Sequence, residues 1–138
     1  MSLAVTETDL GPITWTKNAA VQTVNSASVT ALLNFVTTNN RSYYIRVEGT
    51  GWCSASTASP TNANKSQAFL TTYKVNNIAG TVTSAAINSQ ILSDGSWTGG
   101  APAGPSLTAA GSTLTVNVAG VATDTINWNV TTQIMQSN

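Results

Sequence analysis

Hydrophobic and polar residues alternate along most of this chain. In residues 112–135, STLTVNVAGVATDTINWNVTTQIM, apolar side chains recur at Leu114, Val116 and Val118, then at Ile126, Trp128, Val130 and Ile134. A period of two puts successive side chains on opposite faces of a strand. The pattern predicts two strands, and Gly120 between them predicts a hairpin turn. SYYIRVEGTGW sets Tyr43, Ile45 and Val47 on one face and Tyr44, Arg46 and Glu48 on the other. AFLTTYKVNNIAGTVTSAAINSQIL reads as two strands meeting at Asn76-Asn77 or at Ala79-Gly80. VQTV (Val21 to Val24) is a further short strand. SVTALLNFV (Ser28 to Val36) has enough Ala and Leu to compete as a helix. Its β-branched neighbours and flanking Asn-Ser and Asn-Asn pairs favour a strand.

Two stretches break the alternation. GWCSASTASPTNANKSQ, residues 51–67, and SDGSWTGGAPAGPS, residues 93–106, predict long polar loops. Loops longer than about 12 residues are often functional. Residues 1–18 predict an extended arm, with Glu7 and Asp9 and a break at Gly11-Pro12. Together these elements predict an all-β fold: a single antiparallel β-sandwich over residues 19–138, jelly-roll-like, preceded by the N-terminal arm.

The outer faces of the strands in residues 112–135 carry Thr115, Asn117, Asn127, Asn129 and Thr131, with no charge on either strand. The whole chain repeats this economy. It has five basic and five acidic residues in 138, a formal net charge of zero, and 41% hydrophobic residues. Near-zero net charge promotes association, so this surface suits a subunit of an assembly better than a free monomer. Lys17, Arg41, Arg46, Lys65 and Lys74 are scattered, which leaves no basic patch for a nucleic-acid backbone. No stretch approaches the roughly 18 apolar residues of a membrane-spanning helix. The opening MSLAVTETDLGP lacks the basic and apolar segments of a secretory signal, so the expectation is a protein made in a cytoplasm.

Catalytic and metal chemistry find little to work with. There is no histidine, the commonest general base near neutral pH and the commonest metal ligand. The acids are Glu7, Asp9, Glu48, Asp94 and Asp124, and their spacing suggests no carboxylate pair flanking a cleft. Asp94-Gly95 reads as a turn in preference to a calcium loop. The single cysteine, Cys53, excludes an intrachain disulfide and reads as a small buried residue. The expectation is a protein with no enzymatic activity, cofactor or metal.

The tryptophans divide into two groups. Trp128 alternates in phase with Ile126 and Val130, and the three are expected core anchors. Trp15, Trp52 and Trp97 fall in or beside the arm and loops. Each either folds back onto its own domain or anchors a subunit or partner contact, since tryptophan is enriched at interface hot spots. With Asn127, Asn129 and Thr131, they form the candidate interface set.

The C-terminal half resembles a β-domain of tailed-bacteriophage virion structural proteins, in which a strand ending in V-x-G is followed by a T-I-x-W strand. The matching positions are Val118, Gly120, Thr125, Ile126 and Trp128, and the resemblance extends loosely over residues 20–135. It implies a non-enzymatic virion protein, assembled in the host cytoplasm. The domain is nearly the whole chain, which favours a capsid cement or decoration protein: a homotrimer that bridges neighbouring major capsid proteins. The alternative is a tail-fibre or receptor-binding tip whose two loops touch a host surface glycan. A carbohydrate-binding module is a third reading.

Overall fold

The computed structural model describes residues 13–137. Eight strands follow one another: β1 (Ile13–Val24), β2 (Val29–Val36), β3 (Arg41–Ser56), β4 (Ser66–Ile78), β5 (Thr81–Ser93), β6 (Ser106–Ala110), β7 (Thr113–Ala119) and β8 (Asp124–Gln136). They form two antiparallel sheets, one of five strands in the order β1-β8-β3-β4-β5 and one of three in the order β2-β7-β6. The alternation thus predicted the class and the two-layered architecture, and β2 is a strand despite its Ala and Leu. The five-to-three division was not visible in it.

The interior sits between the sheets. From the large sheet come Tyr43, Ile45, Val47 and Cys53 of β3, Phe69, Tyr73 and Val75 of β4, and Ile126, Trp128, Val130 and Ile134 of β8. Leu114, Val116 and Val118 of β7 face them from the small sheet. Ile126, Trp128 and Val130 are 0%, 2% and 1% exposed, so all three are core anchors as their phase predicted. Trp128 lies opposite Gly51 of β3. A Cβ at Gly51 would stand 2.6 Å from the indole, so only glycine leaves room for the ring there.

Three expectations are corrected. β7 and β8 are not a hairpin, because β7 pairs with β2 and β6 while β8 pairs with β1 and β3. The segment between them carries the chain from one sheet to the other. Gly120 serves close packing there, since a side chain would collide with the hydroxyl of Thr23 and the carbonyl of Ser26. The boundary of the arm also moves. Residues 13–18 are the first half of β1, paired with β8 from Gln136 to Thr131, while residues 1–12 lie outside the described residues. Finally, residues 51–56 and 66–67 of the expected first loop belong to β3 and β4, which leaves a connection of residues 57–65. The β4–β5 hairpin turns at Ala79-Gly80, both with positive φ (51° and 84°), the signature of a type I′ turn. Asn77 is not in the turn. It is buried, donates to the hydroxyl of Thr37, and accepts from the Gly80 amide.

The β3–β8 seam tolerates no added bulk at Gly49, where a Cβ would meet the Asn129 carbonyl and the Val130 backbone. Gly49→Ala is expected to destabilise the fold by about 1–3 kcal/mol, measured as a lowered denaturant midpoint with unchanged slope.

Candidate functional site

Both connections that the sequence marked as functional loops are tied to the framework. Asn62, in the β3–β4 connection, is fully buried. Its Nδ2 donates to the Thr98 carbonyl and to Oδ2 of Asp124, both at 2.9 Å. Its Oδ1 accepts from the Thr98 amide at 2.8 Å and from Lys65 Nζ at 3.3 Å. Every hydrogen-bonding position of the amide is therefore used. Lys65 also donates to the Ser96 carbonyl. Asp124 is 0% exposed, and its Oδ1 accepts from the Ser56 and Thr123 hydroxyls at 2.6 and 3.1 Å. Burying a carboxylate is costly unless its lone pairs are met, and three donors meet them here. This cluster fastens residues 57–65 to residues 94–98.

Trp97 follows from this anchoring. It is 9% exposed and part of the core cluster, which removes it from the candidate interface set. A polar, glycine-rich surround made it look like a loop tryptophan. No local pattern encodes the Asn62–Thr98 pair that turns it inward. Trp15 is 39% exposed and packs against Phe35 of the small sheet, ring centroids 5.3 Å apart. Trp52 is different. It lies on β3, 46% exposed, on the face of the five-stranded sheet that points away from the core.

That outer face is a nearly neutral platform built by strand register. One row runs Gln22, Asn127, Trp52 and Ser66 across β1, β8, β3 and β4. The next holds Ala20, Asn129, Thr50, Ala68 and Leu92, and the third Asn18, Thr131, Glu48, Leu70 and Gln90. A fourth holds Thr16, Gln133, Arg46, Thr72 and Asn88. Asn127, Asn129 and Thr131 all lie here. Asn127 and Asn129 are exposed and Thr131 is half-buried, and none of them faces the second sheet. Gln22 Nε2 donates to Asn127 Oδ1 and the Thr131 hydroxyl donates to Asn18 Oδ1, both at 2.8 Å. These cross-strand bonds hold the amides in fixed orientation. Arg46 and Glu48 pair on this face at 3.1 Å, as their places on one strand face predicted. Beyond them Tyr44, Met135, Ile87 and the Lys74 stem line a shallow, mostly apolar cavity of about 300 Å³. Along β3 the face thus runs from an exposed indole, past hydroxyls and one ion pair, to an exposed phenol.

The three acids among the described residues all have partners. Asp124 is consumed by the buried cluster, Asp94 accepts from the amide and hydroxyl of Ser66, and Glu48 is paired with Arg46. Among the described residues no three His, Cys, Asp or Glu side chains cluster to hold a metal. The platform was only partly legible in sequence. Alternation marked Asn127, Asn129 and Thr131, but Gln22, Asn18 and Gln133 join them only through β1–β8–β3 pairing.

No protein family matches the sequence, and neither does any curated protein sequence. Two solved structures superpose on this chain in part. The tailspike protein of Acinetobacter baumannii phage AM24 superposes with a TM-score of 0.46 at 8% identity, over 88% of this chain and 26% of that one. The tailspike protein gp49 of Acinetobacter baumannii bacteriophage Fri1, a capsular polysaccharide depolymerase, superposes with a TM-score of 0.44 at 16% identity, over 88% of this chain and 17% of that one. This chain therefore spans about a quarter or less of either protein.

Two outcomes test the site's framework. Asn62→Ala leaves the Asp124 carboxylate short of a buried donor and is expected to cost about 1–3 kcal/mol, with residues 57–65 and 94–98 becoming protease-sensitive. The second outcome concerns pH. Burial, and then the neighbouring Asp124 charge, push the Cys53 thiol above its ordinary 9.0, and burial pushes Tyr73 above its ordinary 10.0. Between the unfolded and the folded values, the unfolded chain has lost protons that the folded chain keeps. Stability is thus fully present below pH 9.0 and falls as pH rises through the raised values. Denaturant midpoints are expected to drop above about pH 9, the drop being shallower in Cys53→Ala.

Proposed function

We propose that this protein is a non-catalytic component of a bacteriophage particle, placed on the tail, that contacts a host surface glycan through the outer face of its five-stranded sheet. The phage assignment rests on the V-x-G and T-I-x-W pattern at Val118, Gly120, Thr125, Ile126 and Trp128. The observation that carries the glycan reading is Trp52, 46% exposed and flanked in its row by Asn127, Gln22 and Ser66. Sugar rings stack their C–H faces on an indole, and their hydroxyls are met by fixed amides and hydroxyls. A sheet face of amides, with few charges to desolvate, suits a neutral or weakly charged polysaccharide. An extended saccharide could lie along β3 from Trp52 towards Tyr44. The contact moves from the two loops, where the sequence put it, to the sheet, because the Asn62 cluster holds the loops and Trp97 is buried.

This reading is placed ahead of the capsid-cement one for a specific reason. Cement needs the Asn127, Asn129 and Thr131 face as a protein interface, and bridging favours apolar anchors at an interface centre. The centre of this face is amides, hydroxyls and the Arg46–Glu48 pair. The most direct experiment applies the purified protein to bacterial surface polysaccharides and to phage adsorption on host cells. Binding and blocked adsorption are expected, and Trp52→Ala is expected to weaken affinity at least about tenfold, 1.4 kcal/mol, without lowering stability. Binding to capsids with no glycan binding would overturn the tail reading in favour of cement.

A further inference from the structure

The glycan reading leaves the outer edge of one element without a use: β5. It is an edge of the five-stranded sheet and 13 residues long. At about 3.3 Å per residue that is roughly 43 Å of strand edge that no other described residue pairs with. Proteins usually blunt such edges with short strands, lysines or prolines. β5, TVTSAAINSQILS, has no charged residue and no proline. Every residue of it except Val82 and Ser93 is exposed, with Ile87 at 61%, Ile91 at 42% and Leu92 at 77%. The other edges are better protected. β1 carries Lys17, and the edges of the small sheet, β2 and β6, are only 8 and 5 residues long.

We propose that β5 pairs antiparallel with β5 of a second copy of this chain, across a two-fold axis near Ile87, joining two five-stranded sheets into one. The first argument for a copy over any other strand is the bulge. Thr72 pairs with Asn88 and Tyr73 with Ala86, so Ile87 is left over between them. It divides β5 into two halves of six residues, 81–86 and 88–93. A regular partner strand would lose register in passing the bulge. A two-fold copy brings its own bulge to the same point.

The second argument is chemical matching. The bulge exchanges the faces, so Val82 and Ser84 share the inner face with Ser89 and Ile91. In the antiparallel register that keeps inner with inner, Val82 meets Ile91 and Ser84 meets Ser89 of the other copy. On the outer face Thr83 then meets Gln90. These three meetings set apolar against apolar or polar against polar, while the same register puts Thr81 beside Leu92 and Ala85 beside Asn88, and no register opposes like charges, because the strand has none. This pairing is isologous and closes at two chains, where the sequence reading expects a trimer. It does not depend on the glycan reading, since β5 lies at the sheet's edge and Trp52 two strands inside it.

The test is the mass of the full chain in solution by light scattering, for wild type, Ile87→Lys, Ile87→Glu and an equimolar mixture of the two variants. Ile87 is 61% exposed, so both variants are expected to melt close to wild type. Wild type is expected at twice the 14.2 kDa of one chain. Each variant alone is expected at the mass of one chain, because two like charges lie diagonally across the axis, each opposite Ala86 of the other copy, and the mixture is expected to regain the dimer. A monomeric or trimeric wild type, a dimer indifferent to Ile87→Lys, or a mixture that stays monomeric would each overturn the proposal. If the variants melt early, amide exchange in wild type decides. Protection along residues 81–93 that rises with protein concentration supports the pairing, and protection independent of concentration overturns it.

Discussion

The structure depends on the buried carboxylate of Asp124 and the amide that answers it. Asp124 is the first residue of β8, at the point where the chain has just left the three-stranded sheet for the five-stranded one. Its carboxylate gathers Ser56 from the end of β3, Thr123 from the crossover and Asn62 from the β3–β4 connection. Its backbone carbonyl accepts from Asn25 as β1 gives way to β2. Four chain segments are thereby fixed to one buried residue. Next to it, Thr23 accepts from the Trp128 indole nitrogen at 3.1 Å and leaves Gly120 no room for a side chain. The end of the sandwich where both sheets exchange chain is thus sealed by polar contacts, and the middle by Ile126, Trp128 and Val130.

That seal explains how the molecule divides its labour. Loops are the usual seat of recognition because a rigid scaffold presents them freely. Here the two long connections are part of the scaffold, and the exposed aromatic and amide groups sit on strands. Strand register fixes their spacing, and cross-strand bonds such as Gln22 to Asn127 and Thr131 to Asn18 fix their orientation. Little ordering entropy is then left to lose on binding. A surface with few charges has the same logic. In the proposed glycan contact, amides and hydroxyls trade water for sugar hydroxyls at modest desolvation cost, whereas ions could not.

How much of this was legible in the sequence follows from the range of the interactions. Alternation is local, so it revealed the strands, the inward phase of Trp128, the outward phase of Asn127 and Asn129, and the Arg46–Glu48 pairing. Sheet membership is not local. Val118 and Ile126 lie within a few residues of each other and read as one hairpin, yet they face one another from different sheets. Gly120 looked like a turn residue because a glycine between two strands usually is one. Its actual reason, the closeness of Thr23, lies almost a hundred residues away. Trp97 was misplaced for the same reason. Its burial depends on Asn62, 35 residues earlier and indistinguishable by composition from the other asparagines around it.

The central claim is that the connections 57–65 and 94–98 belong to the rigid framework. Amide hydrogen exchange at Asn64, Lys65 and Thr98 tests it most directly, since the Asn64 N–H is bonded to Cys53 of β3 and the other two are bonded to Asn62. The account predicts that they exchange as slowly as the amides of β3 and β8, opening only with the whole fold. Exchange at the rate of free loop amides, with β3 and β8 still protected, would contradict it.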